Sequence, residues 1–428
     1  MNTLVIVLFV SFLACLLLGF PVAYSLGISS LCYFVFAGMP LNTMTQRFFA
    51  GLDSFTLLCI PGFVLAGNLM NSGGITRQII RFCNTLIGHI RGGLGLANIL
   101  ASMIFAGVSG TAVADSASIG GILIPAMVDD GYDVDFSVGV TAASSCIGPI
   151  IPPSLPMIIA GTLTGISVSK MFVGGIIPGI LMGVGMMFVS YAISRKRNHP
   201  KAERRATFRE ILSSGKTAIW ALLMVVIILM GILTGIVTPT EASIIAVLYA
   251  LLVGFLIYKE LTLKKMLIVM RDSMVTTAGI MALVGFANIF AYILTKEQIP
   301  AMIANAMLAI THNKYILLLM INVLLLFVGC FMETIAALLI LFPVLLPVVT
   351  AVGVSPVQFG VMCVLNLVLG LTTPPVGVCL FVTSAIGKIS LSRASKAVLP
   401  FLALNLCVLL LVAFVPATTT WLVGVLFP

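Results

Sequence analysis

Apolar runs long enough, or nearly long enough, to cross a bilayer recur along the whole sequence. Clear examples are residues 4–19, 172–193, 218–233, 316–329 and 399–415. A spanning helix needs about 20 predominantly apolar residues, so the shorter runs require their flanks. Hydrophobic residues make up 61% of the chain and charged residues 8%, against roughly 25% charged residues in an average soluble domain. Because helices satisfy their own backbone groups in lipid, the sequence predicts an all-α polytopic membrane protein.

The first apolar run is not followed by a clear small-residue cleavage site. We therefore expect it to be a retained span and not a signal peptide. The nine cysteines are scattered and lie mostly in apolar runs, which is typical of small buried side chains.

The positive charge of the chain is concentrated, which argues against nucleic acid as a partner. Residues 195–216 contain eight Lys or Arg and two acidic residues. By the positive-inside rule this stretch is predicted to be a cytoplasmic linker. Two further cytoplasmic loops are predicted from their basic residues, which are Lys259, Lys264, Lys265 and Arg271 in one and Lys388, Arg393 and Lys396 in the other.

The sequence repeats itself on either side of the basic linker. A displacement of 222 positions places Gly107 on Gly329, Gly148 on Gly370, and Pro152 and Pro153 on Pro374 and Pro375. The matches are mostly Gly and Pro, so the repeated property is backbone geometry. We predict two repeats, residues 1–194 and 217–428, joined by the linker 195–216.

The two repeats are predicted to have opposite orientations in the membrane. One apolar stretch follows Lys170 and leads to the linker, whereas one follows Arg393 and leads to the C-terminus. If the linker and the segment around Arg393 are both cytoplasmic, equivalent positions of the two repeats lie on opposite sides of the membrane, and both termini are periplasmic. Inverted repeats with broken helices at the midplane are typical of secondary transporters.

Each repeat has two points at which the helical backbone is expected to break. The first is a glycine- and hydroxyl-rich hairpin tip, residues 106–116 and 328–338, and the second is the segment 148–156 or 370–378. Broken backbone at membrane depth frees carbonyl oxygens, which can replace the hydration shell of a cation. The predicted sodium ligands are Ser109, Gly148, Ile151 and Pro153 in the first repeat and Gly329, Gly370, Thr373 and Val376 in the second. The alternative is that these breaks only kink helices for packing.

Three acidic residues within or beside apolar runs carry separate predictions. Asp115 is six residues after Ser109 and is predicted to assist a binding site or to hydrogen-bond a neighbouring break. Glu333 follows Gly329 by four residues, one predicted helical turn. Glu241 in TPTEA is predicted to complete a capping box with Thr238.

Enzymatic chemistry is not indicated by the sequence. The three histidines are far apart, and GVSGTA lacks the strand-turn-helix context of a nucleophile elbow. Asp129, Asp130, Asp133 and Asp135 are predicted to form a solvated loop, the alternative being a metal site.

Several segments together resemble the large membrane subunit of tripartite ATP-independent periplasmic (TRAP) transporters. They are SGTAVADSASIGGILIPAM (109–127), GPIIPPSLPMIIAGTLTGISVSKMFVGGIIPG (148–179), TPTEA (238–242) and GLTTPPVGVCLF (370–381). The resemblance implies an elevator-type secondary transporter driven by sodium, located in the bacterial inner membrane. It also implies two partners, a small four-helix membrane subunit and a soluble periplasmic substrate-binding protein. Since the chain starts at the first span of the large subunit, we expect separate genes for the two membrane subunits.

The resemblance implies that the substrate is an organic acid, such as a dicarboxylate, sialic acid or a sugar acid. Asp115, Ser154 and Thr372 are the predicted substrate contacts, and helix N-termini at the breaks offer N–H groups to a carboxylate. No cofactor is expected beyond sodium as the coupling ion. The alternatives are a self-sufficient ion-coupled carboxylate symporter or antiporter, and a membrane scaffold or intramembrane enzyme without transport.

Overall fold

The regular elements of the protein are helical throughout the part of the chain that the computed structural model describes, residues 3–202, 204–311, 313–374 and 377–427. Before the linker the helices are α1 (Thr3–Leu17), α2 (Val22–Phe36), α3 (Leu41–Leu52), α4 (Cys59–Ser72), α5 (Ile75–Ile87), α6 (Gly93–Ser109), α7 (Ala112–Asp129), α8 (Val134–Ser145), α9 (Leu155–Thr164) and α10 (Val168–Lys196). A 3₁₀ turn, Phe55–Leu58, precedes α4.

The second half contains ten further α-helices. They are α11 (Phe208–Leu233), α12 (Pro239–Leu252), α13 (Leu263–Lys296), α14 (Ile299–Ile310), α15 (Lys314–Gly329), α16 (Thr334–Ala351), α17 (Pro356–Gly370), α18 (Val378–Gly387), α19 (Leu391–Phe414) and α20 (Ala417–Leu426). A π-helical turn, Val253–Ile257, extends α12.

The helix lengths confirm the predicted class of polytopic membrane protein. Among the described residues, eight helical segments are long and apolar enough to cross a bilayer. The longest are α13 with 34 residues and α10 with 29. The predicted run 316–329 coincides with α15, which has only 16 residues, because its helix stops at the glycine of the second hairpin tip.

The segment TPTEA begins a helix, as predicted. Thr238 is the N-cap of α12 and Pro239 its first residue. The Glu241 carboxylate accepts from the backbone N–H of Thr238 at 2.8 Å, and the Thr238 hydroxyl accepts from the N–H of Glu241 at 3.3 Å. This reciprocal capping box satisfies two N–H groups that a helix start leaves unpaired, so Glu241 has a structural role.

The helices form an outer and an inner group. In the outer group, α2, α3 and α4 pack along α13, while α12 packs on α4 and α11 on α5. The inner group is built from α6–α10 and α15–α19, with α20 against α10. Helix α1 packs on α2, and α14 follows α13 and packs on α16. The outer group contacts the inner group mainly through α5 and α4 on α6 and through α14 and α13 on α16.

The inner group contains the same sequence of elements twice. A helical hairpin, α6–α7 or α15–α16, is followed by a broken helix, α8–α9 or α17–α18, and then by a long helix, α10 or α19. The short half of each broken helix packs on the hairpin of the other set, since α18 contacts α7 and α9 contacts α16. Such reciprocal contacts are expected if the two sets of helices are copies of one unit. The repeat boundaries and their inverted orientation stay predictions.

Buried amides join each hairpin to its broken helix. The side-chain amide of Asn98 donates to the Thr141 hydroxyl at 2.6 Å, and the Ser144 hydroxyl donates to the side-chain oxygen Oδ1 of Asn98 at 3.3 Å. In the second set the side-chain amide of Asn366 donates to Oδ1 of Asn322 at 2.6 Å. Ser144 and Asn366 are equivalent at the displacement of 222 positions. Such pairs hold helices together in lipid, where an unsatisfied polar group is costly.

The aspartate-rich segment is exposed, as predicted, but it also anchors the end of the basic linker. Asp133 lies 2.9 Å from Arg197 and 3.3 Å from Nε2 of His199. These contacts lower the pKa of the Asp133 carboxyl, whereas burial lowers the pKa of His199. The His199 ring packs against Phe136 and Tyr132, with centroids 4.5 and 4.9 Å away. These contacts tie the linker to the loop between α7 and α8.

Candidate functional site

The first hairpin tip abuts the first helix break. Helix α6 ends at Ser109, and Gly110 turns the chain with a φ of 63° before α7 begins. A Cβ on Gly110 would lie 3.2 Å from the carbonyl oxygen of Pro153 and 3.3 Å from the backbone N of Leu155. Both the left-handed turn and this close approach favour glycine. The tip therefore meets the backbone predicted to supply sodium ligands. The Ser109 side chain lies outside the described residues.

The second hairpin tip abuts the second break even more closely. Helix α15 ends at Gly329, and α17 ends at Gly370. A Cβ on Gly370 would lie 2.4 Å from the carbonyl carbon of Gly329 and 2.5 Å from its oxygen. Only a residue without a side chain fits this contact between two backbones. The structure thus brings together Gly329 and Gly370, which the sequence assigned to one predicted cage.

Asp115 lies between the two breaks. It is in the first turn of α7, is fully buried, and its carboxylate reaches the backbone of Gly148. A Cβ on Gly148 would lie 2.1 Å from its Oδ2. The carboxylate is also close to the thiols of Cys146, before the first break, and Cys379, after the second. The Cys146 thiol in turn donates to the carbonyl of Val368 at 3.4 Å, so the two breaks are neighbours.

Three hydroxyls are engaged with nearby backbone: Ser154 and Thr372, the predicted substrate contacts, and Thr373, a predicted sodium ligand. Ser154 caps α9, accepting from the N–H of Met157 at 3.3 Å and donating to the carbonyl of Pro149. Thr372 and Thr373 both donate to the carbonyl of Leu369, at 2.9 and 2.8 Å. Since a hydroxyl that donates still has lone pairs, the Thr373 oxygen remains able to coordinate a cation. Ile151 packs beside Gly179, and Val376 lies outside the described residues.

The predicted position of Glu333 is wrong in one respect. It is not one turn beyond Gly329 on a continuous helix, because α15 ends at Gly329 and α16 begins at Thr334. Glu333 is the N-cap of α16 and accepts from the N–H groups of Ile335 and Ala336 at 2.8 and 3.3 Å. The carboxylate compensates the unpaired N–H groups of the helix start. The sequence predicted a hairpin tip at residues 328–338, but it did not show that the helix ends before Glu333.

A cleft of about 320 Å³ separates the outer and inner groups beside the first hairpin tip. It is lined by α4 and α13 on one side and by α6 and α7 on the other. Its polar lining residues are Asn68, Asn71, Thr111, Ser118 and Thr276. The Asn71 amide donates to the Ser118 hydroxyl at 2.7 Å and bridges the two groups.

Sequence reasoning missed this cleft. A signal was present, because Asn68 and Asn71 are three positions apart in an otherwise apolar helix and so share one face. The start of α7 also opens here, since Thr111, Val113 and Ala114 are among the lining residues. The first N–H groups of an α-helix have no partner within the helix and attract anions. The cleft therefore combines amide and hydroxyl groups and lies beside a helix start.

Comparison with known proteins identifies a family. The family model described as "Tripartite ATP-independent periplasmic transporter, DctM component" matches residues 9–418. The sialic acid TRAP transporter large permease protein SiaM of Vibrio cholerae is 44% identical over 411 residues, which cover 95% of each chain. The C4-dicarboxylate TRAP transporter large permease protein DctM of Pseudomonas aeruginosa is 39% identical over 396 residues, 92% of each chain.

A solved structure shares the fold. The YdaH transporter of Alcanivorax borkumensis superposes with a TM-score of 0.64 over 90% of this chain and 88% of that chain, at 16% sequence identity. The apolar helices, the paired hairpins and breaks, and the match over nearly the whole length agree with one another. The chain thus belongs to the DctM component family of tripartite ATP-independent periplasmic transporters, whose members are multi-pass permease subunits of the bacterial inner membrane.

Proposed function

We propose that this chain is the large permease subunit of a sodium-driven TRAP transporter that imports an organic acid. The observation that carries the proposal is that each hairpin tip meets a helix break, Gly110 at Pro153 and Gly329 at Gly370, although the two pairs are not equivalent at the displacement of 222. Each contact gathers main-chain carbonyls of two broken segments into a small space. Uncharged oxygens in this arrangement suit a cation that has lost part of its hydration shell.

In this proposal each contact holds one sodium ion. The ligands are the residues named from the sequence, Ser109, Gly148, Ile151 and Pro153 in one cage and Gly329, Gly370, Thr373 and Val376 in the other. Asp115 lies beside Gly148 and close to Cys379 after the second break, so its charge favours cation binding near both. Filling the cages immobilises the hairpin tips, and the tips order the substrate site.

The proposed substrate is a carboxylate. Two relatives are named for sialic acid and for C4-dicarboxylates, both of which carry carboxylate groups. The cleft beside Thr111 supports this class, because the side-chain amides of Asn68 and Asn71 line it and amide N–H groups can donate to a carboxylate. Ser154 and Thr372 are retained as proposed contacts; both are buried at the breaks. The first selection among organic acids rests with the soluble binding protein.

The proposed mechanism is an elevator. The inner group, α6–α10 with α15–α19, carries sodium and substrate as one body past the outer group. The Asn71–Ser118 hydrogen bond links the inner group to the outer group and has to break in each cycle. The loaded inner group moves, releases its cargo to the cytoplasm, and returns empty. The chain itself forms no covalent intermediate in this cycle and acts as a permease, not as an enzyme.

The proposal includes the partners and orientation expected from the sequence. A small four-helix membrane subunit supports the outer group, and a soluble periplasmic protein delivers the substrate. The linker 195–216 is cytoplasmic and both termini are periplasmic. The ion pair between Arg197 and Asp133 supports a common side for the linker and the α7–α8 loop.

The test is uptake into proteoliposomes that contain this chain and its small subunit. Labelled sialic acid and C4-dicarboxylates are offered with and without the cognate binding protein and an inward sodium gradient. The expected result is uptake that requires both the binding protein and the sodium gradient. An equal potassium gradient controls for membrane potential and osmotic effects.

Other outcomes would change the proposal in defined ways. Uptake without the binding protein would indicate a self-sufficient symporter or antiporter. Uptake that a proton gradient drives equally well without sodium would refute sodium coupling. Failure with every carboxylate tested, in vesicles whose protein remains folded, would refute the substrate class.

A further inference from the structure

A polar cleft of about 490 Å³ opens between α5, the linker and the start of α11. Two helix faces form its walls: Arg81, Asn84 and Thr85 on α5, and Glu210, Ser213 and Ser214 on α11. In both sets the spacing of three and four positions places the side chains on one face. The N–H of Ala202 donates to the carbonyl of Gly88 at 3.0 Å and fixes the linker against the α5–α6 turn.

The guanidinium groups of Arg81 and Arg204 outnumber the carboxylates among the described lining residues of the cleft. Three basic side chains, Arg81, His89 and Arg204, line it, against the single carboxylate of Glu210 among its described lining residues. That carboxylate already accepts from Arg204 at 3.0 and 2.6 Å and from the N–H of Thr207 at 2.7 Å. The remaining guanidinium, imidazole, amide and hydroxyl groups can donate to an anion with several oxygens. A phosphate group is such an anion.

An apolar hollow of about 390 Å³ adjoins the same turn. Its lining residues are Ile87, Ile90, Leu96, Met187, Phe188 and Tyr191. Ile87 and Ile90 flank Gly88 and His89 in the chain, so the hollow and the cleft lie on either side of one short turn. Phe188 exposes 74% of its surface, although it is a large aromatic residue. Apolar surface of this kind in a membrane protein suits an acyl chain.

We infer that the cleft and the hollow together bind an anionic phospholipid. The phosphate lies among Arg81, His89 and Arg204, and an acyl chain lies over Phe188 and its neighbours. Basic pockets between helices at the cytoplasmic surface are suited to anionic head groups. The site is separate from the proposed sodium and substrate sites, which lie at the hairpin tips. A free phosphate would share the head-group chemistry but would make no use of the hollow.

The experiment measures lipid binding to the complete purified chain in detergent by native mass spectrometry. Phosphatidylglycerol, phosphatidylcholine and inorganic phosphate are titrated separately. We expect phosphatidylglycerol to bind at least tenfold more tightly than phosphatidylcholine. Arg81→Gln should weaken it about tenfold, the usual loss when a charge-assisted hydrogen bond is removed. Arg81→Lys should recover most of the affinity, and His89→Gln is an independent second variant.

Arg77→Gln is the matched control. Arg77 is one turn earlier on α5, pairs with Glu260 at 3.4 Å and does not line the cleft, so lipid affinity should stay unchanged. Phe188→Ser should weaken phosphatidylglycerol and leave inorganic phosphate unaffected. Equal binding of phosphatidylcholine, or no effect of both Arg81→Gln and His89→Gln, would overturn the inference. Inorganic phosphate that binds as tightly as the lipid would identify a free anion as the ligand.

Discussion

Substitution of Gly370 by alanine should separate the second hairpin tip from the second break. The new Cβ would lie 2.4 Å from the carbonyl carbon of Gly329 and 2.5 Å from its Cα, whereas ordinary contacts begin at 3.4 Å. The two backbones must therefore move apart by about 1 Å. The obstacle is backbone, so no side-chain rotation can relieve it.

The cost can be estimated from other overpacked sites. Extra methyl or methylene groups in a packed interior typically cost about 1–3 kcal/mol. This corresponds to a roughly 5- to 150-fold shift between the closed contact and an open one. If the contact forms a sodium cage, the same shift should appear as a weaker apparent affinity for sodium. We expect the sodium concentration for half-maximal uptake to rise by at least the lower figure.

The assay is sodium-dependent uptake into proteoliposomes, together with thermal unfolding at several sodium concentrations. Gly121→Ala is the matched control, since a Cβ at this helical position would meet no described atom within 4 Å. It reports any general effect of replacing a helical glycine by alanine. Gly370→Ala with the same sodium dependence and the same sodium-induced stabilisation as Gly121→Ala would refute the assignment of a cage to this contact.

Four other substitutions test neighbouring features. Thr373→Ala should weaken the sodium dependence of uptake, measured in the transport assay, more than it lowers the amount of protein, measured by immunoblot. Equal losses in the two assays would mean that Thr373 has a structural role. Asp115→Asn keeps the shape of a buried side chain but removes its charge. Uptake should fall at least about tenfold, the effect of 1.4 kcal/mol, while the size-exclusion profile stays unchanged. Normal uptake would show that a charge at this position is not essential. Asn71→Ala combined with Ser118→Ala in a double-mutant cycle should give a coupling of about 0.5–1.5 kcal/mol in thermal unfolding, and strict additivity would mean that the hydrogen bond contributes nothing. His199→Gln should flatten the pH dependence of the free energy of unfolding. Burial lowers the pKa of His199 below its usual 6.5. The contribution of the neutral imidazole to stability is therefore complete above pH 6.5 and is lost as the pH falls through the folded-state pKa. A wild-type melting temperature that stays constant from pH 7 to 5 would contradict this.

Much of the architecture follows from local sequence. Spans such as α10 and α19 are continuous apolar helices, and hydropathy over a window reports them directly. The breaks after Ser145 and Gly370 were predicted because glycine and proline act on their own backbone, whatever the tertiary context. The capping box of Glu241 is local for the same reason. The predicted duplication rests on the repetition of these backbone features.

What the sequence could not determine is which distant surfaces meet. A hairpin tip was predicted at residues 328–338, but Glu333 was placed one helical turn beyond Gly329, because spacing alone does not show where one helix ends and the next begins. The approach of Asp115 to Gly148 and the bridge from Asn71 to Ser118 join positions far apart in the chain. Neither contact has a local signature, since an asparagine in an apolar helix can face any neighbour. Helix periodicity fixes the face on which a polar residue lies, and only the packing of the inner group against the outer group decides what that face meets.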